Sequence, residues 1–190
     1  MGKDDKLSIN NRTSNSTLSL IQIGLMAALA YAVTSMIHIP VGNGAVLHLG
    51  DSVAFLAAIL LGRKRGAIAI AIGMTLFDLL SPYLIWAPFT AVIKGGMVYI
   101  AATIAFRKGY DGKNFFNNML AFVVAGIFMC AGYYIAGGFL NYFVYGAPTL
   151  TSAFILALKD ISFNILQVLV GMAIALPLAP SLKRVLKLYK

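Results

Sequence analysis

Thirteen of the fifteen Lys and Arg residues fall in four short clusters separated by long apolar stretches, and that spacing leaves little choice of fold. The clusters are Lys3, Lys6 and Arg12; Arg63, Lys64 and Arg65; Arg107, Lys108 and Lys113; and Lys183, Arg184, Lys187 and Lys190. Each intervening stretch is long enough to cross a bilayer twice, since a helix rises about 1.5 Å per residue and the hydrocarbon core is about 30 Å thick. Loops that stay in the cytoplasm retain Lys and Arg, so all four clusters are placed on that side and both termini are predicted to be cytoplasmic. The expected fold is all-α, an integral membrane bundle of six transmembrane helices.

Composition points the same way. Hydrophobic residues make up 60% of the chain, charged residues 11%, and Glu is absent, far from the balance of a water-soluble domain. A formal charge of +9 can signal nucleic acid, but here the basic residues flank apolar spans and do not form a face interleaved with aromatics, so no nucleic-acid partner is expected. The partner implied by composition is the lipid bilayer. Cys130 lies within an apolar segment and, as the single cysteine, packs as a small hydrophobe and forms no internal disulfide.

Residues 1–16 are polar and rich in Asn and Ser, and read as a disordered cytoplasmic tail before one transmembrane domain over 17–190. The first span is predicted over Thr17–Ile37. An outer loop, Ile39–Asp51, follows; its Gly, Pro and Asn residues break helix while Val46, Leu47 and Leu49 are apolar, which predicts a lid folded back over the bundle. Asp51 or Ser52 is expected to cap a short second span, Ser52–Leu61, and residues 62–66 to form an inside turn. The third span is predicted over Ala67–Leu80. Trp86 is placed at the outer interface, where amphipathic rings collect, and Pro88 suits the first turn of a fourth span reaching Phe106. A fifth span, Phe115–Phe139, an uncharged outer loop, Asn141–Pro148, and a sixth span, Thr149–Ala179, with Pro177 and Pro180 loosening its inner end, complete the chain.

Four ionisable residues fall inside these spans: Asp78, Lys94, Lys159 and Asp160. An ionised group near the bilayer centre costs roughly 2.5–3.5 kcal/mol on insertion scales, so each needs a partner, a wet cavity or a route to the interface. Asp78 and Lys94 lie at similar depth and could pair. Asp160, Asn164 and Gln167 recur at i, i+4 and i+7 and make one polar stripe, which in lipid must turn inward. Two readings follow. Either Asp78, Lys94, Asp160, Asn164 and Gln167 line a polar pocket in the outer half of the bundle, with Trp86 and Tyr133 or Tyr134 as flat surfaces for an aromatic ligand, or the same residues are interhelical hydrogen bonds and one ion pair.

On the first span, Gly24, Ala28 and Ala32 set small residues every four positions along one face, a spacing that serves either internal packing or close approach of another helix. Enzyme and nucleotide motifs are missing: no HExxH arrangement exists without Glu, no GxSxG or GxxxxGK[ST] occurs, and His38 and His48 stand without carboxylates in a metal-binding pattern. No enzymatic activity, cofactor or metal is therefore expected of this chain, and without a nucleotide-binding loop it is not expected to hydrolyse ATP by itself.

Several segments together resemble the S component, the substrate-binding membrane subunit, of energy-coupling factor (ECF) vitamin transporters: LHLGDS at 47–52, LGRKRGA at 61–67, FDLL at 77–80 and WAPFTAVIKG at 86–95. The resemblance runs over nearly the whole chain from Thr17 onward. ALAYA at 28–32 is similar to the family's Ala-x-x-x-Ala, which implies that Gly24, Ala28 and Ala32 dock against a transmembrane coupling subunit. The resemblance further implies a vitamin ligand captured under the first outer loop, a pair of ABC-type ATPases as energising partners, and a multi-pass protein of a prokaryotic plasma membrane. Riboflavin-binding relatives resemble PFNxxK in the sixth helix where this chain has SFNILQ at 162–167, keeping Asn164 but replacing Lys by Gln167 and Pro by Ser162. The LGDS and APFT segments look closer to members assigned to vitamin B6-like or hydroxymethylpyrimidine-like compounds. A riboflavin-specific S component and a self-sufficient proton-coupled carrier are the alternative expectations.

Overall fold

The computed structural model describes residues 3–41 and 45–188, with the side chains of 3–15, 41–45 and 185–190 outside the described residues. Six α-helices and one β-hairpin appear among them: α1 Lys3–Met36, β1 His38–Val41, β2 Ala45–His48, α2 Gly50–Leu61, α3 Arg63–Leu79, α4 Ala87–Ala105, α5 Phe115–Phe143 and α6 Leu150–Leu188. Short 3-10 turns at Leu84–Trp86 and Arg107–Gly109 flank α4. The backbone of α1 is helical from Lys3, so the segment read as a disordered tail continues this helix, whose apolar part is Ser16–Met36.

α3, α4, α5 and α6 pack in sequence, α1 lies against α3, and α2 fills the space among α6, α3, α1 and α4. Among the described residues, four helical segments are long and apolar enough to cross a bilayer alone: Ser16–Met36, Leu84–Ala105, Phe115–Phe143 and Leu150–Arg184. α2 is not, at 12 residues or roughly 18 Å. It is instead sheathed by protein, every residue from Gly50 to Ile59 being buried, as befits a helix that is apolar on all sides. Lipid tails are as apolar as Leu, so close backbone packing holds such a bundle. Ala54, Ala57 and Ala58 on α2 have no exposed surface, and Gly73 on α3 leaves room only for the α1 backbone at Ala27 and the Ala30 methyl. Further down, Phe55 and Phe122 stack at 4.2 Å between α2 and α5.

The basic clusters with described side chains gather at one end. Arg65 bonds Ser19 and Gln22 where the apolar part of α1 begins, and Lys183 of α6 reaches Asp111 in the α4–α5 connection. Gly62, at φ 77°, is the one non-helical residue between α2 and α3, so Arg63, Lys64 and Arg65 sit in the first turn of α3 and not in a loop. Cations there oppose the helix dipole by about 0.3–1 kcal/mol each, less than carrying a cation into the bilayer would cost.

Two spans are longer than the sequence indicates. α5 continues to Phe143, shortening the last loop, and α6 runs through Pro177 and Pro180, a tolerance common in membrane helices, where neighbours satisfy the freed carbonyls. The loop expected between α1 and α2 is a hairpin in the register His38↔His48, Ile39↔Leu47, Pro40↔Val46 and Val41↔Ala45. It lies at the end opposite the basic clusters.

Candidate functional site

Beneath the hairpin is a cavity with about 560 Å³ of atom-free space, part of it open to the outside. α3 contributes Met74, Phe77 and Asp78; the α3–α4 turn contributes Tyr83 and Trp86; α4 contributes Thr90 and Lys94, one turn apart on the same face. Tyr133 comes from α5, Asp160, Asn164 and Gln167 from α6, Thr34 from α1, and Val46 and His48 from the hairpin. All seven residues singled out for a ligand pocket, Asp78, Trp86, Lys94, Tyr133, Asp160, Asn164 and Gln167, thus border one cavity. Trp86, placed by the sequence at the membrane interface, is turned inward and only 8% exposed. Tyr134, the alternative to Tyr133, faces a separate apolar groove between α5 and α6.

The principal correction concerns Lys94. Its partner is Asp51, at 2.5 Å, with the two side chains 2% and 0% exposed; Asp78 does not pair with it. Similar depth on two helices fixes height but not direction around the axis, and Lys94 points toward α2. The ammonium also donates to Met129 Sδ at 2.9 Å and lies 5.4 Å from the Tyr133 ring centre. Asp51 is not a helix cap: Leu49 occupies that position without a side-chain bond, and Ser52 donates its hydroxyl proton back to the Leu49 carbonyl. Gly171 on α6 closes the pair from below, since a Cβ there would stand 3.1 Å from Asp51 Cβ.

His48 is a second residue that sequence reasoning missed. Its Nδ1 accepts the Gly50 N–H at 3.2 Å, which requires that nitrogen to be unprotonated. Burial, reinforced by the charge of Lys94, lowers the imidazole pKa to about 4, against the opposing pull of Asp51. Phe77 holds the ring edge-on at 6.3 Å. Thr90 lies one turn before Lys94, a spacing that could have marked it; Thr34 and His48 belong to no periodic pattern.

Several buried polar atoms at the cavity have no partner within the protein: Thr34 Oγ1, Asp78 Oδ2, Trp86 Nε1 and Gln167 Oε1. A buried donor or acceptor left unpaired costs roughly 1–3 kcal/mol, so their convergence equips the cavity to receive a ligand with both donors and acceptors. Gln167 is bifunctional, its Nε2 donating to the Val46 carbonyl of the hairpin at 2.8 Å. Trp86 and Tyr133, 5.9 Å apart, and the stacked Phe77 and Tyr83 supply flat walls.

On the outside of α1, Gly24 and Ala28 are exposed and Ala32 is partly so. Ala27, Ala30 and Thr34 face inward instead. The small-residue stripe is therefore not used to pack α1 within this chain.

The family described as ECF-type riboflavin transporter, S component, matches residues 14–184. The thiamine precursor transporter HmpT of Lactococcus lactis subsp. cremoris (strain MG1363) is 28% identical over 179 residues, spanning 94% of this chain and 93% of that protein. A solved structure described as the S component of a bacterial ECF transporter superposes with a TM-score of 0.66 at 21% identity, over 90% of this chain and 99% of that one, which bears on the fold alone.

Two outcomes follow from the ion pair and from His48. Asp51→Asn should lower stability by about 3–5 kcal/mol by stranding a buried ammonium, and adding Lys94→Met should restore most of it, as read by thermal unfolding in detergent. The folded chain keeps His48 neutral down to about pH 4, whereas the unfolded chain protonates it near the ordinary value of about 6.5. Its contribution to stability is accordingly complete above pH 6.5 and lost as pH falls toward 4, and His48→Gln should flatten that part of the melting-temperature profile.

Proposed function

Because the chain belongs to the family of ECF-type riboflavin transporter S components, membrane transport subunits and not enzymes, we propose that it captures a small aromatic vitamin or vitamin precursor of the hydroxymethylpyrimidine or vitamin B6 type. The ligand enters beneath the hairpin at the outer face and is delivered inward with a transmembrane coupling subunit and a pair of ABC-type ATPases. The observation that carries this reading is the ring of unpaired buried polar atoms, Thr34 Oγ1, Asp78 Oδ2, Trp86 Nε1 and Gln167 Oε1, around a cavity with aromatic walls. Hydrogen-bonding groups at the rim and flat apolar surfaces beside them match a single hydroxyl-bearing heteroaromatic ring.

The likeness to HmpT supports a thiamine precursor. Riboflavin is the second reading, favoured by the description of the family itself; against it stands Gln167 where riboflavin-binding relatives resemble Lys. The outward stripe of Gly24, Ala28 and Ala32 serves as the docking face for the coupling subunit, since small residues allow another helix to approach closely.

The single tryptophan lines the cavity and makes binding directly observable. Titration with hydroxymethylpyrimidine should change Trp86 emission saturably, whereas riboflavin should fail to compete; saturable riboflavin binding that displaces the pyrimidine would select the second reading. Ala28→Leu should leave that titration unchanged yet abolish co-purification with the coupling subunit, and undiminished co-purification would remove the docking face.

A further inference from the structure

The charge balance of the cavity narrows the ligand further, resting on the reading just given. Lys94 is the one Lys or Arg among the residues that line it, and its charge is already matched by Asp51 at 2.5 Å behind the wall. His48, also in the wall, is held neutral at pH 7 by burial and by Lys94. Lys159, beside Asp160 in the chain, is exposed on the outside of α6. What remains facing the ligand is two carboxyl groups, Asp78 and Asp160.

Asp78 is the more enclosed, 5% exposed, with Oδ2 unpartnered. Of the neighbouring groups, Lys94 is committed to Asp51, and the Thr90 hydroxyl, which interacts with the Asp78 carboxyl, is shared with Tyr133 Oη at 3.1 Å, so Oδ2 is left without a donor. A buried carboxyl oxygen kept free in this way calls for a donor, and more strongly for a cationic donor.

We infer that Asp78 is the residue that selects a ring nitrogen flanked by an exocyclic amine, the edge of an aminopyrimidine, and that the cavity rejects phosphate esters of the same ring. An aminopyrimidine protonated on that ring nitrogen offers two parallel N–H donors to one carboxylate, the fork arrangement that makes charged pairs both strong and directional. A pyridine-type vitamin with hydroxyls but no such amine lacks the second donor. A phosphate ester adds negative charge where no uncommitted cation stands, and unlike a hydroxymethyl group it cannot be desolvated cheaply.

The test compares three ligands on the intact protein by Trp86 fluorescence or calorimetry: hydroxymethylpyrimidine with its amine, the same ring with hydrogen in place of the amine, and the phosphate ester of the aminated ring. Loss of one hydrogen bond to a charged group should weaken the amine-free ring by about tenfold or more, and the phosphate ester should bind more weakly still. Asp78→Asn should lose about the same factor for the aminated ring and show no further preference between the two rings. Equal binding of the aminated and amine-free rings to the unaltered protein, or tighter binding of the ester, would overturn the inference while leaving the transport reading in place. Failure of every pyrimidine to bind would overturn both.

Discussion

The buried ion pair between Asp51 and Lys94 is the contact on which the upper half of the molecule depends. α2 is too short to cross the membrane by itself and begins inside the protein, directly after the hairpin. A salt bridge with both side chains sealed from solvent ties its first turn to the middle of α4. Isolated charges at such depth are costly, and pairing the ammonium with Asp51 Oδ1 offsets much of that cost while fixing where α2 starts, even though Asp51 Oδ2 has no partner within the protein. The hairpin, anchored at one end by α1 and at the other by α2, is held over the cavity as a consequence.

The pair also sets the chemistry of the cavity above it. Lys94 lines that space, yet its charge is matched from behind, so it presents donor geometry and a cation–π contact to Tyr133 without net positive charge. Asp78, freed from the role of counter-ion, keeps an unpaired oxygen directed to the same space. Gln167 divides its amide between the hairpin carbonyl and the cavity, so the roof and the interior share one side chain. Membrane helices usually satisfy polar groups among themselves; here several are left unsatisfied at one place, the pattern that supports the binding role proposed for the cavity.

Much of this site was legible in the sequence because lipid is an unforgiving solvent. A stripe such as Asp160, Asn164 and Gln167 cannot face hydrocarbon, so its inward direction followed without any knowledge of neighbours. Lys94 stood out for the same reason. Thr34 and His48 stayed hidden: a lone Thr in an apolar helix and a His in a Gly-rich loop carry no periodic signal. The hairpin was hidden too, since strands of four residues are too short for alternation to show. The pairing of Lys94 with Asp78 that similar depth suggested did not hold, because depth along a span is readable from sequence while azimuth is not.

The sequence by itself determined that this chain is a multi-pass membrane protein, which stretches are apolar enough to lie within it, and which polar residues could not be tolerated against lipid. Each of those follows from transfer energies that act residue by residue. Only the tertiary structure decided that α2 is sheathed by its neighbours, that the first loop is a hairpin bonded to Gln167, and that Lys94 belongs to Asp51. Those outcomes depend on which helix faces which, and that is settled by packing among small residues such as Gly73 and Gly171, whose partners lie far away in the chain.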